Sequence, residues 1–442
     1  MKILLLGEYS NVHNTLAQGL RERGHQVTVA SNGDFWKDYP RDIDLARTPG
    51  TLGGIRLIAK VWAQLPRWRG YDVVQLINPM FLELKAERIF PVYHYLRRHN
   101  KCMVMGAFGM DYYWVHECIE RKPLRYSDFN IGDQLRTDPV PQRDSSDWLD
   151  TPKAELNQLI ANDCDAIVAG LYEYYVCYQP LFPTKTTFIP FPISEGRGEK
   201  LEGRGERQEV RGERQEVRGE RIAPASKTAL SPLTSHPSPQ ETALSPLTSH
   251  PSPQETALSP LTSHPSPQET TSHPSPLTSP LRLFIGISKG RSQYKGTDIM
   301  LRAAEEVQRR HPEHLELVKA EGLPFAEYQK RMDGCDALMD QLYSYTPAMN
   351  ALLAMSKGII VIGGGEPENY DILGEQELRP IVNVQPTYES VVDELERLVR
   401  LQVAADGSIE RLKRQSKEYV RRHHHYLTVA AQYESLYQKL LT

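Results

Sequence analysis

Apolar residues along this chain recur in short continuous runs, each followed by a longer stretch with helical spacing. Ile3 to Leu6, Val27 to Ala30, Val73 to Ile77, Cys102 to Met105 and Ala166 to Val168 are such runs in the first part of the chain. Leu281 to Ile287, Leu315 to Val318, Ala337 to Met339 and Ile359 to Ile362 are their counterparts in the last part. Near-continuous apolar runs fit strands covered on both faces. Between them, Asn14 to Arg23 predicts a helix closed by Gly24, and Thr151-Pro152 opens another as N-cap and first-turn proline. Thr346-Pro347 opens the helix MNALLAMSK, which Gly358 closes. Strands alternating with helices predict an α/β protein with doubly wound parallel sheets. Two such blocks are expected: residues 1–194 and residues 281–442. Ligands are then expected in the cleft between them, beyond the carboxyl ends of the strands.

The periodicity stops between them. Residues 195–280 contain GERQEVR at Gly205 and again at Gly212, then TALSPLTSHPSPQE starting at Thr228, Thr242 and Thr256. A tract rich in Pro, Ser, Thr, Glu and Arg buries too little apolar surface to offset its ordering entropy. Solenoid repeats need an apolar face to stack, and each copy brings only two leucines. The tract is read as a disordered low-complexity insert, tolerated because long loops add little closure entropy.

Composition then excludes several classes. The 442 residues are 40% hydrophobic and 24% charged, ordinary for a globular protein. A net charge of −4 lacks the dominant basic face of a nucleic-acid binder. Cys102, Cys118, Cys164, Cys177 and Cys335 form no CxxC pair and no zinc spacing with histidine. They read as reduced thiols, and no metal site is expected. MKILLLG is too short an apolar run for a signal peptide and reads as a first buried strand. The expected location is the cytoplasm.

The richest chemistry lies in LRLFIGISKGRSQYKGTDIMLRAA, Leu281 to Ala304. An apolar strand runs into a loop carrying Lys289, Arg291 and Lys295, with Gly286, Gly290 and Gly296 permitting tight turns. A helix follows, its apolar face marked by Ile299, Met300, Ala303 and Val307. Unpaired N–H groups at a helix start, with cations just outside it, favour a phosphate group.

The block from residue 281 onward resembles the C-terminal domain of GT-B glycosyltransferases, close to the retaining family 4 group (group 1 glycosyltransferases). Four features carry the resemblance in order. A strand ends in Gly286, and Lys295-Gly296 opens the next helix. A proline-capped helix contains Ala354-Met355 and closes at Gly358. A strand then enters a glycine-acid loop, Val361 to Glu366. The tail SKEYVRRHHHYLTVAAQYESLYQKLL is similar to the closing helix of that family. The resemblance implies an N-terminal acceptor domain, a C-terminal domain for a UDP- or GDP-sugar donor, and transfer without a metal or cofactor. It implies Lys295 and Arg291 as contacts to the donor diphosphate, with Lys289 a weaker third and Gly286 and Gly296 shaping the site.

The chain departs from the family at one place. The family carries two glutamates eight positions apart; Tyr345 and Leu353 stand there. GGGEPE, Gly363 to Glu368, supplies Glu366 and Glu368 at the next strand end. One of them is expected to take over a sugar or ribose hydroxyl, with Glu366 placed among the catalytic residues. Loss of the usual pair also leaves open an inactive, binding-only relative.

In the first block, GEYSNVHN follows the first strand and lacks the spaced glycines of a dinucleotide fingerprint. Ser10, Asn11 and His13 are its candidate acceptor contacts. GAFGMDYYWVHE follows another strand and offers Asp111 and His116 as candidate catalytic groups; alternatively, Asp111 caps the loop and the aromatics pack it. His423, His424 and His425 read as a solvated helix face, because adjacent helical side chains point about 100° apart. Ile55 to Gly70, IRLIAKVWAQLPRWRG, is basic and aromatic. It reads as a helix with Leu57, Ile58, Val61 and Trp62 toward the core. The alternative is contact with an anionic membrane surface at a lipid-linked acceptor. The reading is a glycosyltransferase moving a sugar from a nucleotide donor to a glycan or lipid-linked hydroxyl, in polysaccharide or glycan synthesis at the inner face of the cell membrane. A nucleotide-sugar epimerase of the same architecture is the enzyme alternative.

Overall fold

Residues 1–194, 279–288 and 290–442 are described by a computed structural model of the chain. The expected insert, save Ser279 and Pro280, and Lys289 lie outside the described residues.

Continuous apolar runs became the strands of a parallel seven-stranded sheet, ordered β3-β2-β1-β4-β5-β8-β9. Its strands are β1 (Lys2–Leu6), β2 (Gln26–Ser31), β3 (Ile43–Asp44), β4 (Val73–Leu76), β5 (Cys102–Ala107), β8 (Ala166–Ala169) and β9 (Thr186–Phe188). The order reverses between β1 and β4, whose ends meet in register at Leu6 and Leu76. Helices α1 (Val12–Glu22), α2 (Gly50–Gln64), α3 (Ala86–His99), α4 (Tyr112–Glu120), α5 (Pro139–Trp148), α6 (Pro152–Asp163) and α7 (Tyr172–Tyr178) complete this lobe. A short antiparallel hairpin, β6 (Asn130–Ile131) with β7 (Gln134–Leu135), follows α4. The hairpin, β9 and α5 left little periodicity to read, being short or polar.

The second lobe has a parallel four-stranded sheet ordered β11-β10-β12-β13. Its strands are β10 (Leu281–Ile287), β11 (Leu315–Glu321), β12 (Ala337–Met339) and β13 (Ile360–Ile362). Its helices are α8 (Ser292–Lys295), α9 (Thr297–Arg310), α10 (Phe325–Met332), α11 (Met349–Ser356), α12 (Pro367–Leu373), α13 (Tyr388–Ala404), α14 (Ser408–His423) and α15 (Tyr426–Leu441). The order reverses between β10 and β12, so loops leaving these strands border a crevice.

Three expectations change. The tail is two helices, because α14 stops at His423 and His424 leaves the helical region. His424 N–H continues the α14 pattern, but its carbonyl accepts the Ile193 N–H (2.7 Å), and its ring Nδ1 lies 3.0 Å from the Phe191 carbonyl. The histidine run is therefore a bend that sends α15 back across the first lobe. There Tyr437 donates to Gln75 (2.5 Å) and Tyr426 to Glu22 (2.9 Å). Second, α11 starts at Met349 as expected, but its N-cap is Ala348, and the Thr346 hydroxyl is spent on Glu173 of the other lobe. Third, α2 buries Leu57 and Val61 but leaves Trp62 54% exposed, and Ile58 is half-buried. At 100° per residue, Trp62 falls on the face opposite the core stripe.

Candidate active site

The two lobes touch through side chains on segments that follow their strands. Glu173, on α7 after β8, is buried and accepts from Tyr345 N–H (2.7 Å), Thr346 N–H (3.0 Å) and Ser344 Oγ (3.0 Å). The Thr346 hydroxyl donates to its second oxygen. Burial raises its pKa against the pull of these donors. Arg125, in the loop after α4, donates to Glu366 (2.6 Å) and Glu368 (2.5 Å). Its N–H donates to the Tyr345 hydroxyl (2.7 Å), and its guanidinium lies 5.0 Å from the Tyr345 ring centre. Tyr126 donates to Glu366 (2.5 Å), and Gln385 reaches the same oxygen (2.9 Å). Farther along, Arg136 donates to the carbonyls of Gln293 (2.8 Å) and Tyr294 (3.2 Å), while Tyr294 donates to Asp128 (2.5 Å).

Lys295 lies inside this frame. It closes α8 just before Gly296, which takes φ +71; a Cβ there would sit 2.5 Å from the Leu342 Cβ. Only glycine allows that turn at that spacing. Leu342 N–H donates to the Lys295 carbonyl (3.0 Å), which ties the loop to the end of β12. The Lys295 side chain is half-buried and, among the described residues, makes no hydrogen bond or ion pair. Burial lowers its pKa; Asp340 and, more weakly, Asp128 pull it up, and Arg291 and Lys37 push it down. Asp340 follows β12 directly and holds Asn350 (3.1 Å); burial raises its pKa. Arg291 is exposed, its guanidinium 5.3 Å from the Tyr294 ring centre. A half-buried ammonium with no direct ionic partner among the described residues suits an anionic group.

Other expected site residues are placed as follows. Gly286 is the sixth residue of β10, and a Cβ there would meet the Tyr328 hydroxyl at 2.7 Å. Ser10 and Asn11 take positive φ (50 and 71) in the loop after β1. Left-handed backbone at two non-glycine residues stores strain beside the cleft. Ser10 Oγ accepts from Lys37 Nζ (3.3 Å), and Ser10 N–H donates to Asp34 (2.7 Å). His13 instead points inward. It is fully buried against Gln75 and the Gly7 carbonyl, and burial lowers its pKa to about 3. Asp111 is fully buried as the N-cap of α4, accepting from Trp114 N–H (2.9 Å) and the Tyr178 hydroxyl (2.8 Å). Burial raises its pKa to about 7. His116 stands on the outer part of α4, with Nδ1 3.0 Å from Glu117. Glu366 is buried with its oxygens engaged, whereas the Glu368 side chain keeps 24% exposure. Lys295, Arg291, Ser10 and Glu368 thus border the interlobe cleft or its clamp, while His13 and Asp111 support the loops behind it. Leu353, at the second departure from the family pattern, packs on the core.

Several important residues went unread. Asp340 and Glu8 each directly follow or nearly follow a strand end, a signal that was available. Arg125, Tyr126, Glu173 and Arg136 carried none, since their partners are more than 150 positions away.

Glu8 makes a separate prediction. Its buried carboxyl accepts from His13 N–H (3.1 Å) and Asn14 N–H (2.8 Å) at the start of α1. Burial, with the charge of Asp34, raises its pKa from 4.5 to about 8. The folded state therefore holds a proton that the unfolded state has lost. That contribution is complete below the unfolded value and is lost as pH rises through the folded one. Glu8→Gln, which never ionises, is expected to abolish about 2 kcal/mol of the stability loss between pH 6 and pH 9. Urea midpoints at the two pH values measure it; parallel slopes for both proteins would refute the buried-carboxyl account.

No protein-family model and no curated protein matches this sequence. Solved structures do share its fold. Sucrose-phosphate synthase from Thermosynechococcus elongatus is 12% identical over 100% of this chain and 99% of that chain, with a TM-score of 0.54. The catalytic domain of starch synthase IV from Arabidopsis thaliana, bound to ADP and acarbose, is 9% identical over 100% and 99%, with a TM-score of 0.51. HepE from Anabaena, in complex with UDP and glucose, is 11% identical over 99% of each chain, with a TM-score of 0.50. The chain has the GT-B fold of these glycosyltransferases, with two Rossmann-like sheets facing across a cleft.

Proposed function

We propose that this GT-B chain transfers a sugar from a nucleoside-diphosphate donor to an acceptor hydroxyl. The observation that carries the reading is the Lys295 ammonium, half-buried and making no hydrogen bond or ion pair among the described residues, with Asp340 and Asp128 acting on it only through longer-range attraction. A donor diphosphate would supply a direct ionic partner, with Arg291 as the second cation and the N–H groups of α9 behind it. In the reaction the bond from the anomeric carbon to the diphosphate oxygen breaks, and a bond to the acceptor oxygen forms. The acceptor proton passes to the departing diphosphate. Charge gathers on that leaving group, and fixed cations stabilise it in place of a metal. Transfer of this kind with retention needs no enzyme nucleophile.

Within this proposal Glu368 is the carboxylate with acceptor capacity left for a sugar hydroxyl. Glu366 holds the clamp, because three donors already occupy it in a buried setting. Ser10 and Asn11 face the acceptor. That acceptor is a glycan or a lipid-linked glycan, reached at the inner face of a membrane.

The test is a titration of the purified chain with UDP, GDP and their common sugars, followed by product analysis with acceptor glycans. Saturable binding with a new glycoside and a free nucleoside diphosphate is the expected result. A new free nucleotide sugar would instead identify an epimerase. Folded protein that binds no nucleotide would identify an inactive subunit, with Tyr345 filling the place of a donor contact.

A further inference from the structure

Two carboxylates lie near Lys295, one from each lobe, and each has an oxygen to spare. Asp340 leaves β12 where the order of the second sheet reverses. Its Oδ1 accepts from Asn350 (3.1 Å), and its Oδ2 takes no hydrogen bond among the described residues. Asp128 belongs to the loop after α4 that also carries Arg125. Its Oδ2 accepts from the Tyr294 hydroxyl (2.5 Å) and the Trp114 ring N–H (3.3 Å), and its Oδ1 takes none among the described residues. Both side chains are half-buried, and neither spare oxygen is sealed from solvent. Both attract the Lys295 ammonium without touching it. The other cations of the cleft walls are paired. Lys37 lies on Asp34 (2.7 Å), Arg136 on Asp138 (2.9 Å), and Arg125 on Glu366 (2.6 Å) and Glu368 (2.5 Å). What the site has left to offer a ligand is two cations, Lys295 and Arg291, and the spare oxygens of Asp128 and Asp340.

We infer that Asp128 and Asp340 hold hydroxyl groups of the transferred sugar, and that the cleft therefore takes an uncharged sugar in preference to a uronic acid. The inference rests on the proposed function, because it specifies the donor of that same site. The ligand that matches two cations beside two carboxylates is one with an anionic part and a hydroxyl-bearing part. The cations take the diphosphate. Each carboxylate oxygen accepts from a hydroxyl, and such charge-assisted bonds are stronger than neutral ones. A carboxylate on the sugar has no proton to donate and carries the same sign of charge. Glu368 can add a further hydroxyl contact, but Arg125 already answers its charge. If Asp128 and Asp340 served Lys295 only as counterions, direct contact with the ammonium would be the stable arrangement. Each bonds neutral donors instead.

The experiment is calorimetric titration of the full chain with two matched pairs of ligands: UDP-glucose against UDP-glucuronate, and GDP-mannose against GDP-mannuronate. Members of a pair differ only in the oxidation state of C6, so the ratio of their dissociation constants cancels the base and the diphosphate. In the pair that binds, the neutral sugar is expected to bind at least about tenfold tighter. Asp128→Asn with Asp340→Asn should bring that ratio to within about threefold of unity, and each single substitution should fall between. Asparagine keeps the shape of the side chain and one acceptor oxygen, and a thermal melt of each variant checks that it folds. A wild-type ratio near unity overturns the inference without need of any variant. So does a ratio that the double substitution leaves unchanged, which would place the discrimination elsewhere. In both cases a nucleotide sugar still binds, so the transferase reading stands and only this inference falls. Folded protein that binds none of these ligands removes both.

Discussion

Lys295→Ala is expected to weaken nucleoside-diphosphate binding by roughly ten- to over a hundredfold, since one charge-assisted hydrogen bond contributes about 1.5 to 3 kcal/mol. The same substitution is expected to change the melting temperature little. A cation that completed an internal ion pair would behave differently: its loss would strand a buried carboxylate and cost stability. Lys295 makes no hydrogen bond or ion pair among the described residues, but the buried Asp340 carboxylate attracts it from a longer range. Removing it relieves a desolvated charge and also takes from Asp340 a positive neighbour, so the two effects oppose one another. Calorimetric titration of wild type and variant, with a thermal melt of each, reads both quantities. Unchanged affinity would move the donor site away from Lys295. Unchanged affinity together with a large fall in melting temperature would make Lys295 a structural residue.

The largest stability effect is expected at Glu173. Glu173→Ala leaves the N–H groups of Tyr345 and Thr346 and the Thr346 hydroxyl without their shared acceptor, while the Ser344 hydroxyl keeps the Thr346 carbonyl (2.6 Å). Each unsatisfied buried group costs about 1–3 kcal/mol, and partial rescue by water reduces the sum, so a loss of about 4 kcal/mol is expected. Glu173→Gln keeps one acceptor oxygen and should lose less than half of that. Urea unfolding of the three proteins measures the order. Because Glu173 belongs to the first lobe and its donors to the second, the loss should be accompanied by a broader transition as the lobes uncouple. Equal stability of wild type and alanine variant would show that the interlobe contact is not formed in solution.

Both predictions depend on partners distant along the chain, and this marks where the sequence stopped being legible. The alternation of strands and helices was plain in residues, because a strand covered on both faces must be apolar throughout. Ile3 to Leu6 and Leu281 to Ile287 are such strands and lie near the middle of their sheets. The Lys295-Gly296 turn was also readable, since a positive-φ position at a helix start asks for glycine. The dual character of α2 was half readable. Its apolar residues were evident, but the sequence assigned Trp62 to the core, and only the packing of Leu57 and Val61 shows which face was already covered.

The clamp was not readable at all. Tyr345 stood in the sequence only as a missing glutamate. In the fold it is a buried tyrosine whose hydroxyl accepts the Arg125 N–H and whose ring lies 4.8 Å from that of Tyr126, centre to centre. Glu366 and Glu368 stood as two loop acids, and the fold divides them by burial into an anchor and a half-exposed carboxylate.

From the sequence alone came the two α/β blocks, their strands and the basic loop after β10. Each of these is set by local patterning, which chain neighbours carry within a few residues. Only the tertiary structure decided which charges are neutralised, which acids are buried and which face of α2 meets water. Those outcomes depend on how many solvent molecules a group keeps, and that number is set by the opposite wall of the cleft or the far side of a helix, not by residues adjacent in the chain.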